Sequence, residues 1–208
     1  VRLGRRIYDS LCKAVGSIVA VHLPIAGVAF VPVLFGWPLV LLPAHIAFLE
    51  LIIDPACAIA FEAEPEEADL MRRPPRARAD SPYRLRALLP SALLGLVALA
   101  ACLAVMLYAR VMALDAEATR AAVFTMLVLG NLALIGAHRT RIRHAAGNRN
   151  PALWWIVAGS LACLAAALYW PALGRLFRFT APAPQTWLAV VMVLAALLLG
   201  FAVLVRLG

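Results

Sequence analysis

Six apolar stretches, each near or at the roughly 20 residues that cross a bilayer, limit what this chain can fold into. They run Leu11 to Phe35, Pro38 to Phe61, Leu88 to Ala109, Ala121 to His138, Ala152 to Trp170 and Trp187 to Val205. Within lipid every backbone N–H and C=O must be satisfied internally, so stretches of this length are expected as helices. The fold class expected is therefore all-α, a polytopic membrane protein built as a bundle of six transmembrane helices. Hydrophobic residues make up 64% of the 208 positions, well above the roughly 45–50% of an ordinary soluble domain. The net charge of +8 does not point to nucleic acid, because the basic residues lie in short patches between apolar runs, where they set orientation. Cys12, Cys57, Cys102 and Cys163 show no C-x-x-C spacing and indicate neither a disulfide framework nor a thiolate metal site.

The connections divide the chain further. Only Gly36-Trp37 separates the first two spans, with Pro38 expected to open the second, so a tight hairpin is predicted. Residues 62–87 form a polar arm, acidic first (Glu62, Glu64, Glu66, Glu67, Asp69) and then basic (Arg72, Arg73, Arg76, Arg78, Arg84, Arg86), with four prolines opposing regular structure. The expected organisation is a stalk over 1–10, a hairpin over 11–61, the arm, and a four-helix bundle over 88–208. With both termini cytoplasmic, fifteen of the nineteen Lys and Arg residues fall on the cytoplasmic side, the asymmetry expected of inward-facing loops.

Two acidic residues interrupt apolar sequence, Glu50 and Asp54, both in the second span. A carboxylate in hydrocarbon costs several kcal/mol unless it meets a partner, a cavity or an ion. Four residues apart, the two share one helix face, with Asp54 about 6 Å nearer the cytoplasm. Pro55 follows directly and frees a backbone carbonyl at that depth, as Pro24 in the first span frees that of Ala20. His22, near the middle of the first span, should reach the level of Glu50 across the hairpin. Carboxylates, an imidazole and free carbonyls suit a cation: oxygen ligands favour Ca²⁺, Mg²⁺, Mn²⁺ or a monovalent ion, and the imidazole tilts toward transition metals or a proton. The structural alternatives are a polar pair capped from a neighbouring helix, and a His22 that only hydrogen-bonds between helices. Asn131, the other amide at depth, could complete the site or bond across helices. His45 lies nearer the outer surface, where a structural role is expected.

The run Gly4-Arg5-Arg6-Ile7-Tyr8-Asp9, then Gly36-Trp37-Pro38, Leu42-Pro43 and Glu50-Leu-Ile-Ile-Asp54-Pro-Ala, then Glu64-Pro65 and Asp69-Leu70-Met71-Arg72-Arg73-Pro74-Pro75-Arg76, resembles the C-terminal membrane half of P-type cation-transporting ATPases of the calcium-pump-like type. The resemblance is specific over the first 76 residues or so. It implies that Asp54 takes the place of the cation-binding aspartate of the sixth membrane helix and Glu50 that of an asparagine one turn earlier. His22 would replace a ligand asparagine of the fifth helix, and Asn131 an acidic ligand of the eighth. Ile25 stands where a ligand glutamate is expected, and Pro55 where a glycine is.

The expected function is then the membrane transport domain of an ATP-driven pump, binding its transported cation near the bilayer midplane. The expected location is a multi-pass protein of a bacterial-type plasma membrane. The sequence contains no D-K-T-G phosphorylation motif. It is therefore expected to be a fragment without ATPase activity of its own, with Mg-ATP handled by cytoplasmic domains outside it. Its implied partners are the lipid bilayer and the N-terminal half of the same pump: actuator, phosphorylation and nucleotide domains and the first four membrane helices. The alternatives are a stand-alone membrane scaffold, a gradient-driven ion carrier, or a pump for protons or monovalent cations.

Overall fold

The computed structural model describes residues 2–62, 85–142 and 151–207, which are helical apart from short connections. The elements are α1 (Arg2–Leu34), α2 (Pro43–Glu62), α3 (Leu85–Val111), α4 (Ala116–Ile142), α5 (Pro151–Tyr169), α6 (Pro171–Phe177) and α7 (Pro184–Leu207). Four helices, α1, α3, α4 and α7, are each long and apolar enough to cross a membrane. Helices α5 and α6 would make a further span, bent by 87°. The apolar stretch of α2 is shorter, Pro43–Ile52. Most of the polar arm, residues 63–84, and most of the basic loop after α4 lie outside the described residues.

The second apolar stretch departs from the single span expected from Pro38 to Phe61. Residues 37–42 carry no regular secondary structure, and the helix begins at Pro43. Two prolines explain this. The ring of Pro43 drives Leu42 out of the helical region, while its own fixed φ and missing N–H suit the first helical position. Pro55, by contrast, is carried inside α2.

Three helices stop in the same way at one end of the bundle. Gly36 (φ +62°), Ala113 (φ +52°) and Arg178 (φ +51°) each adopt the left-handed conformation just past α1, α3 and α6. In each case the next N–H reaches back five residues: Trp37 to Pro32 O (2.8 Å), Leu114 to Ala109 O (2.9 Å) and Phe179 to Gly174 O (2.8 Å). This closure satisfies carbonyls that a helix end otherwise leaves open. Asp115 then starts α4, its Oδ1 accepting from Ala118 N–H at 2.6 Å.

These connections lie together and define the hairpin end of the bundle. Arg110 stacks over the Trp37 ring at 5.1 Å, Arg120 Nε donates to Leu39 O at 3.1 Å, and Thr180 Oγ1 donates to Glu117 Oε2 at 2.8 Å.

Packing sets the depths of the helices. Helix α1 packs most extensively on α3. A Cβ on Gly95 would lie 2.7 Å from Ala20 O, and one on Gly16 would lie 2.8 Å from Ser91 Oγ. Both numbers rise together along the two helices, so α1 and α3 run parallel and α2 must cross back between them. The Ala20 carbonyl, left without its helical donor by Pro24, abuts the bare Gly95 backbone of α3. Small residues matter here because lipid offers no hydrophobic drive for helix association, leaving close contact to supply the attraction. Helix α4 is the centre of the bundle, with 72% of its apolar window buried, whereas α7 has 17% buried and presents an apolar face outward. Its contacts with α3 and α4 pass Gly200 and Gly130, which face Val97 and Leu197.

Candidate functional site

The hairpin brings His22 of α1 to Glu50 of α2, with Nε2 and Oε1 3.6 Å apart. The other ring nitrogen, Nδ1, lies 3.0 Å from Ile18 O, the carbonyl one turn back on α1. A carbonyl only accepts, so Nδ1 carries the proton of this bond. Nε2 is therefore a bare lone pair in the neutral ring and an N–H in the imidazolium. At 3.6 Å it is too far from the carboxylate for a direct hydrogen bond. Two groups rich in lone pairs thus face a common point, which a proton on either group or a cation between them would satisfy.

The pair sits at the edge of what the described residues cover. The His22 and Glu50 side chains are 44% and 37% exposed. The neighbouring strip of α2, with Pro43, Ile46, Ala47, Leu51 and Pro55, is exposed as well, while His45 and Leu49 on the opposite strip are buried. Carboxylate and imidazole therefore border an apolar face that the described residues leave open.

Asp54 follows one turn along α2, about 6 Å further from the hairpin end by helical rise; its side chain lies outside the described residues. Asn131 is buried on α4, and among the described residues neither its Oδ1 nor its Nδ2 has a hydrogen-bond partner. A chain of close contacts, Ala20 with Gly95, Val97 with Gly200 and Leu197 with Gly130, sets Asn131 at roughly the level of His22, within about one helical turn. The expectation of helix-bridging glue thus has no bond to support it, and a buried amide with both ends open is costly. Among the described residues no group of three or more His, Cys, Asp or Glu side chains converges on one point.

A second polar centre lies at the hairpin end, where the sequence offered only a structural role for His45. Its side chain is fully buried. Leu42 N–H donates to Nδ1 at 2.8 Å, and Nε2 donates to Phe177 O at 2.9 Å. His45 is the third residue of α2 and reaches back to the amide that caps it, the position a Glu or Gln takes in a capping box. Around the ring stand Phe124, Phe177 and Phe179, with centroids 5.2, 5.5 and 5.0 Å away, and Phe48 packs on Phe124 and Phe177. These residues come from α2, α4, α6 and the segment after α6, and no sequence spacing links them. The local sign was Pro43-x-His45, a ring placed to cap a proline-initiated helix.

The sequence from residue 38 to residue 207 matches the family described as cation transporting ATPase, C-terminus. The chain belongs to this family. It is the C-terminal membrane region of a P-type cation ATPase, and the match takes in α2 to α7 with Glu50, Asp54 and Asn131, while His22 lies before it. Among curated proteins, calcium-transporting ATPase 1 of Bacillus cereus (strain ATCC 10987 / NRS 248) is 31% identical over 81 residues, 39% of this chain. Those residues span 9% of that ATPase's length.

Proposed function

We propose that this membrane region of the ATPase carries the transported cation between α1 and α2, with Glu50 and Asp54 supplying charge, His22 a nitrogen or proton site, and Asn131 an oxygen from α4. The observation that carries this reading is the His22 Nε2 to Glu50 Oε1 approach of 3.6 Å, which leaves two acceptors facing each other at membrane depth. Without a positive ion, that arrangement is expensive in hydrocarbon. The unpartnered amide of Asn131 at a similar level supports it.

The open face beside Glu50 is where the earlier membrane helices of the same pump would close the site. In this reading phosphorylation by Mg-ATP in the cytoplasmic domains reaches the site through α1, which continues as one helix from Arg2 to Leu34. At 33 residues it is about 50 Å long, well beyond the roughly 30 Å hydrocarbon layer, so its first turns stand outside the membrane as a lever. ATP changes ion affinity only if it favours one of two conformations that bind the ion differently. The hairpin end then faces outward and both termini inward, in a plasma membrane, in keeping with the skew of basic residues.

The test is cation-dependent phosphorylation of the complete ATPase containing this chain, reconstituted in lipid, with Glu50→Gln beside the wild type. Loss of the cation dependence in the variant is expected. Wild-type phosphoenzyme levels and cation response in Glu50→Gln would overturn the assignment. A second reading, a pump for protons or monovalent cations, draws on the same pair, because a single proton can close the gap between imidazole and carboxylate. Its mark is phosphorylation indifferent to every divalent ion except the Mg²⁺ of ATP.

A further inference from the structure

The way His22 is held bears on which cation such a site would take. We infer that the transported ion is a late first-row divalent metal of the Co²⁺ to Zn²⁺ kind, bound through His22 Nε2, in place of Ca²⁺ or Mg²⁺. This rests on the cation-site reading above and narrows it.

Three observations carry the inference. The first is the tautomer. Histidines that bind metals through one nitrogen characteristically donate the other N–H to a backbone carbonyl or carboxylate, which aims the ring and raises its basicity. His22 does this with Ile18 O at 3.0 Å, turning the Nε2 lone pair toward Glu50.

The second is spacing. Zinc lies about 2.1 Å from imidazole nitrogen and carboxylate oxygen, and two donors at that distance subtend an angle of about 118° when 3.6 Å apart. That angle is near the tetrahedral value, so the metal would enter between the side chains with little rearrangement.

The third is the poverty of oxygen on α1. Calcium takes 6–8 oxygen ligands. The face of α1 around His22 offers Val15, Ile18, Val19, Ile25, Ala26 and Ala29, none with a side-chain oxygen. The Ala20 carbonyl freed by Pro24 is up against Gly95 on α3. Imidazole with one or two carboxylates suits Zn²⁺ and its late first-row neighbours, whereas Ca²⁺ and Mg²⁺ prefer oxygen throughout. A low-coordinate metal can be satisfied by Nε2, Glu50 and two further donors. Calcium would need several oxygens that α1 does not supply.

The experiment uses the complete ATPase in lipid vesicles at constant Mg-ATP, with free Zn²⁺, Co²⁺ and Ca²⁺ each set by a metal buffer. Phosphoenzyme is read against metal concentration, and the visible absorption of bound Co²⁺ is read without ATP. The expected result is half-saturation by Zn²⁺ or Co²⁺ at least about tenfold below that of Ca²⁺. His22→Asn should narrow or reverse that ratio and shift the Co²⁺ bands. If His22→Asn aggregates on size-exclusion chromatography, His22→Gln replaces it, and the wild-type metal order still decides. Half-saturation by Ca²⁺ at or below the Zn²⁺ and Co²⁺ values overturns the inference while leaving a cation site in place. An unchanged metal ratio and unchanged Co²⁺ bands in a folded His22 variant overturn it too. Phosphorylation that responds to none of the three metals overturns both this inference and the divalent-cation reading beneath it.

Discussion

His45 and His22 belong to the same helical hairpin and are held in opposite ways. His45 has both nitrogens bonded, Nδ1 to the Leu42 amide and Nε2 to the Phe177 carbonyl, inside a shell of phenylalanines. His22 has one nitrogen tied to its own helix and the other turned to a carboxylate beyond hydrogen-bond reach. A ring satisfied at both ends is a fixture: it joins the start of α2 to the end of α6 and gains nothing from a ligand. A ring satisfied at one end is aimed, and its free lone pair has value only when something positive arrives. On the proposed reading, what separates the structural from the functional histidine is the count of satisfied nitrogens. Burial alone would have misled, since the fully buried ring is the structural one.

The sharpest way to break this contrast is to remove charge on the functional side. Asp54→Asn in the complete ATPase is expected to abolish cation-dependent phosphorylation while leaving the melting temperature in detergent close to wild type. Phosphoenzyme at the wild-type level would detach Asp54 from the site. On the structural side, His45→Ala should cost about 3 kcal/mol of stability, from two lost hydrogen bonds and a cavity among phenylalanines, with the metal preference kept. Thermal unfolding followed together with metal titration would reveal the reverse, a stable protein with altered selectivity, if the two rings had been assigned the wrong way round.

Gly95→Ala probes the seam that sets the depth of His22. Its Cβ would meet backbone, with Ala20 O at 2.7 Å and Ala20 Cα at 3.1 Å, so neither neighbour can turn aside. A loss of about 1–3 kcal/mol is expected, with a weakened metal response as α1 shifts. A variant as stable as wild type would mean that α1 and α3 are less closely apposed. His22→Ala should change cation affinity by more than about twofold with little change in stability, since the side chain is partly exposed and makes a single helix-local bond. An unchanged affinity would return His22 to the structural class beside His45. The smallest effect belongs to the hairpin end: Ala113→Gly removes a left-handed alanine at φ +52° and should stabilise by up to about 1 kcal/mol, read as a higher melting temperature.

Much of the candidate site was legible in the chain because membrane depth makes polar residues conspicuous. Glu50, Asp54, His22 and Asn131 stand out against hydrocarbon, and a short hairpin fixes which of them come level. The meeting of His22 with Glu50 follows from that reasoning. Other features were not legible. The start of α2 depended on Pro43 prevailing over Pro38, and both are compatible with a helix start when read alone. The break between α5 and α6 fell at Trp170-Pro171, where a proline could as well have ended the span, and the docking of Phe177 on His45, Phe48 and Phe124 holds the short helix across the bundle end. The shell around His45 draws on residues more than a hundred positions apart, and nothing in their spacing announces it.

By itself the sequence determined that this protein is helical and lies in a membrane, and where its charges had to be justified. Both follow from local chemistry: a peptide group in lipid must find its partner within its own helix, and a carboxylate there must find a counter-charge. The tertiary structure decided that both nitrogens of His45 are bonded while Nε2 of His22 is left open, which carbonyl is sealed against a glycine, and which face of α2 is left open. Those are matters of what approaches from another helix, and the distance of that approach is set by packing between segments that carry no record of one another.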